Sequence, residues 1–247
     1  MSRPLPPEML DHIADQIRDD PTTLKTWCLA SKSWIHRTRK LLFAHISFNT
    51  STWVESWKNA FRDPTNSPAH HTRSLNVITD GWDNDRISLA QLHGLSPALR
   101  SLYVFFVSLP DSEIFGLVCS FPLLEDLALV FLDPRRRAWG GEWIPPSTSP
   151  RLTGSLELET PFEGIQSITN RLLDLQNGIH FTRIAVQWLS EQDVKSTTDL
   201  VSRCTATLQF LEIVNNRSDV FPALSARSIA YRHIQTRPGQ LGLTSPK

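Results

Sequence analysis

Residues 124–131 read LEDLALVF, and Leu124, Leu127 and Leu129 in this stretch follow the pattern L-x-x-L-x-L. Related stretches are LRSLYVFF at 99–106, FTRIAVQW at 181–188 and LQFLEIV at 208–214. The first inward-facing residue of each apolar alternation recurs after 27, 25, 29, 28 and 27 residues, at Leu75, Leu102, Leu127, Leu156, Ile184 and Leu211. Apolar alternation predicts short strands with one buried face, and the nearly constant spacing indicates one structural unit repeated along the chain.

Helical patterns lie between the predicted strands. Apolar residues spaced as on one face of a helix occur at Ile114, Leu117, Val118 and Phe121, and again at Ile165, Ile168, Leu172 and Leu175. Ser190 and Asp193 have the spacing of a capping box. The helix that this box would start carries an apolar stripe at Val194, Thr197, Val201 and Cys204.

A strand, a turn and a helix that repeat every 25–29 residues predict an α/β fold. The specific prediction is a short leucine-rich-repeat solenoid with a parallel sheet on its concave side. A doubly wound α/β domain also alternates strands and helices, but no glycine-rich phosphate loop follows any of these strands. The period and the repeated motif therefore favour the solenoid.

Residues 1–48 predict a small head of three short helices. Pro7 suits the first position of the first helix, whose apolar stripe consists of Leu10, Ile13, Ala14 and Ile17. Asp20 is placed to cap the second helix, and Trp34 of the third helix is assigned to the core of the head. Three helices in fewer than 50 residues cannot bury all their stripes on one another, so one apolar face needs a partner or the rest of the chain.

The sequence divides into four segments. The head at 1–48 is followed by a linker with one helix at 49–72, in which Trp53 and Trp57 are four residues apart. The repeats occupy 73–230, and a basic tail occupies 231–247. The tail has no acidic residue and no repeat pattern, so it is expected to be disordered.

The overall composition limits the classes of function. The chain has 247 residues, and 25 Lys and Arg residues balance 25 Asp and Glu residues, so net charge gives no long-range attraction to nucleic acid or acidic membranes. It contains no apolar run of about 18 residues that would span a bilayer, and its first residues lack the apolar stretch of a secretory signal. Three widely separated cysteines fit neither a disulfide framework nor a zinc site. These features predict a reduced cytoplasmic or nuclear protein that binds neither nucleic acid nor membrane.

No spacing of reactive side chains indicates catalysis or metal binding. His70 and His71 are adjacent in a loop rich in proline and serine, where a solvated pair is expected. Cys119 and Cys204 lie on apolar helical stripes and are interpreted as core residues. The sequence therefore offers no catalytic residue and no metal ligand.

Three further features have more than one interpretation. Glu157 and Glu159 share one face of a strand, but no pocket pattern accompanies them to indicate acid–base chemistry. The run Arg135–Arg137 is either a solvated loop or a grip for an acidic group. Trp139 and Trp143 lie in the longest insertion between repeats, where they either dock on the solenoid or form a contact surface.

The N-terminal segment resembles the F-box motif over residues 4–46. That motif opens with Leu-Pro, a glutamate and an amphipathic helix, and closes with a Leu-Val-Ser-Lys-x-Trp-like turn. The matching residues here are Leu5-Pro6, Glu8, Met9-Leu10, Ile13, Leu24, the segment CLASKSW at 28–34 and Leu42-Phe43. Ala30 replaces the usual valine, which removes apolar area.

The remainder is similar to the repeat region of fungal F-box proteins with leucine-rich repeats. The similar segments are SFPLLEDLAL at 120–129, LTGSLELE at 152–159 and NGIHFTRIAVQWLSEQDV at 177–194. The resemblance implies a non-catalytic substrate receptor of a Skp–cullin–F-box ubiquitin ligase that needs no cofactor. In that family the F-box binds the Skp-type adaptor of the cullin ligase core, and the repeats hold a target protein.

Other functions stay open at this point. An F-box and repeat protein would also serve as an interaction protein outside any ligase, in which case no cullin accompanies it. A hydrolase would use Cys119 or Cys204 with a distant histidine. A nucleic-acid binder that uses the basic segments is disfavoured by the net charge of zero.

Two sets of residues are the candidate binding sites. The resemblance assigns adaptor binding to apolar side chains left uncovered on the head, namely Leu5, Pro6, Leu10, Ile13, Leu24 and Leu29. Strand alternation leaves outward-facing apolar residues for the target on the concave face, namely Tyr103, Phe105, Val107 and Val130. The alternative is that the linker or an insertion loop covers this second patch.

Overall fold

The architecture comes from a computed structural model whose described residues are 6–30, 32–62, 67–78, 89–93, 95–105, 111–130, 149–159, 165–187 and 193–214. Seven α-helices and seven β-strands form within these ranges, and the strands make one parallel sheet. The α/β class and the parallel sheet are therefore confirmed. The predicted features that lie outside the described residues are Leu5, Val107, the run Arg135–Arg137, Trp139, Trp143 and the tail at 231–247.

The strands of the sheet follow the order of the sequence. They are β1 (His45–Phe48), β2 (Ser74–Ile78), β3 (Ser101–Phe105), β4 (Asp126–Val130), β5 (Ser155–Glu159), β6 (Arg183–Gln187) and β7 (Phe210–Val214). Each described strand pairs in parallel with the strands before and after it in the chain. A doubly wound sheet reverses its strand order at a switch point, and the described sheet has no such reversal.

The predicted repeat spacing gives the register of the sheet. One ladder of partners is Ile46, Leu75, Leu102, Leu127, Leu156, Ile184 and Leu211. A second ladder, two residues further on, is Phe48, Val77, Val104, Leu129, Leu158, Val186 and Ile213. All of these side chains are buried up to β6, whereas on β7 Leu211 is half-buried and Ile213 is exposed. One face of the sheet thus forms a continuous core that thins at its last strand.

A backbone feature repeats ahead of the strands. The carbonyl of Ala44 accepts hydrogen bonds from the amides of Arg73 at 2.9 Å and Ser74 at 3.0 Å, just before β2 begins. The carbonyls at the equivalent position before later strands that also accept two consecutive amides are those of Arg73, Arg100, Gly154 and Thr182. The Glu125 carbonyl accepts only the Gly154 amide, because the Ser155 amide donates to Asp126 Oδ1. Since Ala44 directly precedes β1, this strand belongs to the repeating pattern. The sequence analysis did not predict a strand at 45–48, because its four residues supply only two apolar alternations after a helix.

One carboxylate joins three neighbouring strands. Asp126 in β4 accepts hydrogen bonds at Oδ1 from the Ser155 amide at 2.7 Å and the Ser155 hydroxyl at 2.9 Å. Its Oδ2 accepts from the Ser101 hydroxyl at 2.9 Å. Gly154 lies against this carboxylate, since a Cβ at that position would be 2.9 Å from Asp126 Cγ.

Helices occupy the connections and the N-terminal head. Their bounds are α1 (Pro7–Gln16), α2 (Pro21–Ala30), α3 (Lys32–Leu42), α4 (Ser51–Ala60), α5 (Asp111–Cys119), α6 (Ile165–Leu173) and α7 (Val194–Arg203). Two short 3-10 helices are also described, at Pro68–His71 and Leu89–Leu92. The apolar faces predicted for the segments of α5 and α6 are buried in the core, as expected.

The face of α7 differs from the prediction at its start. Val194 is exposed because it is the first residue of the helix, and Leu200 is buried together with the predicted Thr197. Ser190 of the predicted capping box lies outside the described residues, and the side chain of Asp193 makes no capping hydrogen bond to α7 itself. Its Oδ1 instead accepts a hydrogen bond at 3.1 Å from the Gln166 amide in the first turn of α6.

The head has its own small core. Asp20 caps α2 as predicted, because its Oδ1 accepts hydrogen bonds from two amides in the first turn. Trp34 of α3 packs on Trp27 of α2 with ring centroids 4.6 Å apart, in line with its assignment to the core. An ion pair between Arg37 and Asp11 joins α3 to α1.

Aromatic rings connect the head with the sheet. Trp57 of α4 packs edge-on against Phe43, which follows α3, and against Phe48 in β1, with centroid distances of 5.7 and 6.1 Å. It also contacts Phe61 at 4.6 Å. Trp53 points away and is exposed, so only one of the two linker tryptophans packs.

Candidate interaction site

The head buries two apolar residues that were expected to be uncovered. Leu10 is 8% exposed and Leu24 is 1% exposed, so both belong to the core of the head. The expectation that they are uncovered was wrong. An apolar stripe identifies the buried face of a helix, but it does not tell whether a partner or the chain itself buries that face.

Other apolar residues of the head remain exposed. Leu29 in α2 is 88% exposed and Met9 in α1 is 51% exposed. Pro6 is also exposed, and Ile13 is half-buried. Met9 was missed as a candidate because it lies off the apolar stripe, although its place in the F-box-like segment was an available signal. Pro6, Met9, Ile13 and Leu29 are therefore apolar residues of the described head that a partner can reach.

The second candidate surface is the outer face of the sheet, which is the face opposite the buried ladders. Its central row follows the register Ser47, Asn76, Tyr103, Ala128, Glu157, Ala185 and Glu212. The next row follows the register Ile78, Phe105, Val130, Glu159 and Gln187. Neighbouring strands lie about 4.8 Å apart, so two residues of one row on alternate strands are separated by about 10 Å.

Tyr103 and Phe105 stack on the outer face of β3. Their ring centroids are 5.9 Å apart and their planes differ by 17°. Both side chains are half-buried, so the chain does not cover them completely. Burial raises the pKa of the Tyr103 hydroxyl, and the charges of Glu157 and Glu159 raise it further. The two carboxylates of β5 are therefore within electrostatic reach of this aromatic pair.

Val130 is less accessible than expected. Only 2% of this residue is exposed, although it lies on the outer face. In the register it stands between Phe105 and Glu159, which are both longer side chains. The expectation of an exposed contact was wrong at Val130, which forms part of the floor of this face.

Acidic side chains concentrate on β5 and β7. Burial raises the pKa of Glu157, the charges of Glu159 and Glu212 raise it further, and Arg183 acts in the opposite direction. Arg183 lies 3.7 Å from Glu212, and its guanidinium carbon is 4.8 Å from the ring centroid of Phe210. Arg183 on β6 therefore interacts electrostatically with Glu157 of β5 and with Glu212 of β7.

The two core cysteines are poor nucleophiles. Cys119 and Cys204 are both buried, as the sequence predicted. Burial raises the pKa of Cys119 to about 11 and also raises the pKa of Cys204. Since the thiolate is the reactive form, both side chains are protonated and unreactive at neutral pH.

Only one of the two adjacent histidines is fully solvated as expected. His71 is half-buried, whereas His70 is exposed. The ring centroid of His71 lies 3.8 Å from that of His70 and 5.3 Å from that of His36 in α3. Burial lowers the pKa of His71 to about 4, with a further contribution from neighbouring cationic groups that include Lys40 and Arg39. Within the described part of the chain, no group of three or more His, Cys, Asp or Glu side chains is arranged to hold a metal ion.

Comparison with protein-family models, with curated proteins and with solved structures finds no match to the chain. No helix in the described ranges is both long enough and apolar enough to cross a lipid bilayer.

Proposed function

We propose that this chain is a non-catalytic substrate receptor that bridges a Skp-type adaptor and a target protein for ubiquitination by a cullin ligase. Its head would be an F-box, and its sheet would belong to a leucine-rich-repeat solenoid. The observation that carries the proposal is that Leu29 is 88% exposed, although Leu24 on the same helix is fully buried.

The exposed residues of the head support an adaptor site. Leu29, Met9 and Pro6 all lie in the segment that resembles the F-box motif, and the head does not need them for its own core. Full burial of one such apolar side chain contributes about 1.5–3 kcal/mol. Each of these exposed side chains that a partner covers would therefore contribute to binding.

The order of the strands supports the repeat half of the proposal. In a solenoid each unit contacts only its neighbours, and equivalent residues of successive units stack into ladders. The described sheet has this arrangement from β1 to β7, with helices α5, α6 and α7 in the connections. The same pattern leaves one continuous outer face for a target.

The receptor would act by proximity. With the adaptor on the head and the target on the outer face, lysines of the target reach a high effective concentration near the activated ubiquitin. Such a role needs no nucleophile in this chain, which agrees with the raised pKa values of Cys119 and Cys204. These values also argue against the hydrolase alternative.

A substitution at Leu29 tests the adaptor site. The full chain and its Leu29→Glu variant are each expressed with a recombinant Skp-type adaptor, and the affinity is measured by biolayer interferometry. We expect at least about a tenfold loss, which corresponds to about 1.4 kcal/mol. The matched control is Leu123→Glu, since Leu123 is 51% exposed but lies between α5 and β4, outside the head. Equal affinities of the two variants, or no binding by the unmodified chain, would refute the proposal.

Recovery of a cullin distinguishes the ligase receptor from an interaction protein that acts outside any ligase. The tagged chain is purified with the adaptor, a cullin and its catalytic partner all present. A ligase receptor retains the cullin through the adaptor, and Leu29→Glu releases both together. Recovery of the adaptor without the cullin favours the second function.

A further inference from the structure

We propose that the outer face selects an extended target segment that carries a lysine or arginine. The cationic side chain would lie over Ala128, between the ring of Tyr103 and the carboxylate of Glu157. This inference rests on the proposed function, because it names the class of target that the repeats would hold.

Ala128 makes a gap in the central row of the outer face. Tyr103, Ala128 and Glu157 are register partners on three successive strands, so the ring and the carboxylate stand on either side of a single methyl group. Strand spacing separates these two walls by about 10 Å. Ala128 is partly exposed, so a side chain from a partner can enter. A lysine or arginine fits such a gap, because its apolar stem packs on the floor while its charge stays at the rim.

Each wall of the gap carries a kind of group that attracts a positive charge. The face of a tyrosine ring is electron-rich and attracts a cation within about 6 Å of its centre. The stacking of Tyr103 on Phe105 limits the orientations of this ring. The other wall is the side chain of Glu157, and no cation of the described chain lies within 4 Å of its carboxyl group.

In the free chain, burial and the neighbouring carboxylates make ionisation of the Glu157 carboxyl group unfavourable. Glu159 and Glu212 both disfavour its charged form, and Arg183 offsets them in part. Arg183 is closest to Glu212, at 3.7 Å. A cation supplied by a partner would relieve the repulsion among these carboxylates, so the charges of this surface favour a basic segment over an acidic peptide or a nucleic acid.

The chain itself provides an example of the proposed contact further along the sheet. The guanidinium of Arg183 lies over the ring of Phe210 at 4.8 Å and next to Glu212. An aromatic ring and a carboxylate thus hold a cation together on β6 and β7. The gap over Ala128 offers the same two groups, and there the cation would come from the target.

Selection from a peptide library tests the inference without a known target. A phage library of random 12-residue peptides is selected on the immobilised full chain. We expect the recovered peptides to carry a lysine or arginine beside apolar residues. The strongest peptide is then synthesised, and its affinity is measured by fluorescence anisotropy. Recovery of peptides without a basic residue, or of none above an uncoated surface, overturns the proposal.

Matched variants locate the binding site of the selected peptide. Glu157→Gln and Tyr103→Leu are each expected to weaken binding at least about tenfold. Glu113→Gln removes the same charge from the exposed side of α5 and is expected to bind like the unmodified chain. Replacing the basic residue of the peptide by norleucine repeats the test on the unmodified protein, so the result does not depend on the folding of a variant. Unchanged affinity in the Glu157, Tyr103 or norleucine experiment overturns the proposal.

Failure of this inference is separable from failure of the proposed function. The head is untouched by Glu157→Gln, so this variant should bind the Skp-type adaptor normally if the receptor function is right. Adaptor binding without selection of basic peptides refutes only the target class. Selection of basic peptides by a chain that binds no adaptor refutes the receptor function and leaves the basic-peptide site standing.

Discussion

Replacing Asp126 with alanine is expected to lower the free energy of unfolding by about 3 kcal/mol. The carboxylate accepts three hydrogen bonds, two from Ser155 in β5 and one from Ser101 in β3. Hydrogen bonds to a charged group contribute about 1.5–3 kcal/mol each when well buried. Since Asp126 and its partners are only half-buried, about 1 kcal/mol each is appropriate.

Thermal and urea unfolding measure this loss. For a chain of this size, 1 kcal/mol corresponds to about 2–4 °C in Tm, so the variant should melt about 6–12 °C lower. The control is Asp199→Ala, which removes a carboxylate from the exposed face of α7 and should change the free energy of unfolding by less than about 0.5 kcal/mol. If both variants melt at the same temperature, Asp126 does not hold the strands together.

Gly154 allows a sharper test of the same carboxylate. A Cβ at this position would lie 2.9 Å from Asp126 Cγ, so Gly154→Ala must displace the carboxylate and break its hydrogen bonds. Once Asp126 is alanine, this obstacle is gone. We therefore expect Gly154→Ala to be more destabilising in the unmodified chain than in the Asp126→Ala variant, by at least about 1 kcal/mol. Simple additivity of the two substitutions would refute the proposed contact.

Three further predictions follow from the burial of Leu24 and Cys119 and from the partial burial of His71 beside α3. Leu24→Ala should lower the free energy of unfolding by about 2–5 kcal/mol in urea titrations, whereas Leu29→Ala should change it by less than about 0.5 kcal/mol. Equal effects of the two substitutions would contradict the assignment of Leu24 to the core. Cys119, with a pKa raised to about 11, should resist a thiol reagent at pH 7.5 until the chain unfolds, and rapid labelling of the folded chain would contradict this. The pKa of His71 is about 6.5 in the unfolded chain and about 4 in the folded chain, so Tm should fall as the pH is lowered through this range. His71→Phe should flatten this dependence of Tm on pH.

The sequence predicts the core of the sheet well because the signal there is repeated. Leu75 and Leu102 become register partners since equivalent residues of successive units must bury the same face. At β1 this signal fails, because a four-residue strand that directly follows a helix has too few alternations to stand out. The prediction for the start of α7 was wrong for a related reason. The periodicity locates the apolar stripe of the helix, but the core does not cover Val194 in the first turn.

The candidate sites were harder to predict, because exposure depends on neighbours from other segments. Leu10 and Leu29 are both apolar residues of the F-box-like segment, yet one is buried and the other is exposed. Leu10 lies on the apolar stripe of its helix, but the stripe alone does not tell whether a partner or the head itself buries it. On the outer face, alternation identified Tyr103 and Val130 correctly as residues of one face, but Tyr103 is half-buried whereas Val130 is buried. The gap over Ala128 could be identified only from the register of three strands.

The strands of the sheet follow the order of the sequence, and the sheet is therefore expected to resist a pulling force weakly when that force acts across the strands. Each described strand is bonded only to the strands before and after it in the sequence. A force between β1 and β7 therefore acts across the strands, and the hydrogen bonds open one row at a time instead of resisting together. Equivalent residues of neighbouring units from β2 onward are 25–29 residues apart, so each unit that peels off releases roughly 9 nm of chain at about 0.33 nm per residue. Stretching in optical tweezers should give a staircase of small extensions at low force.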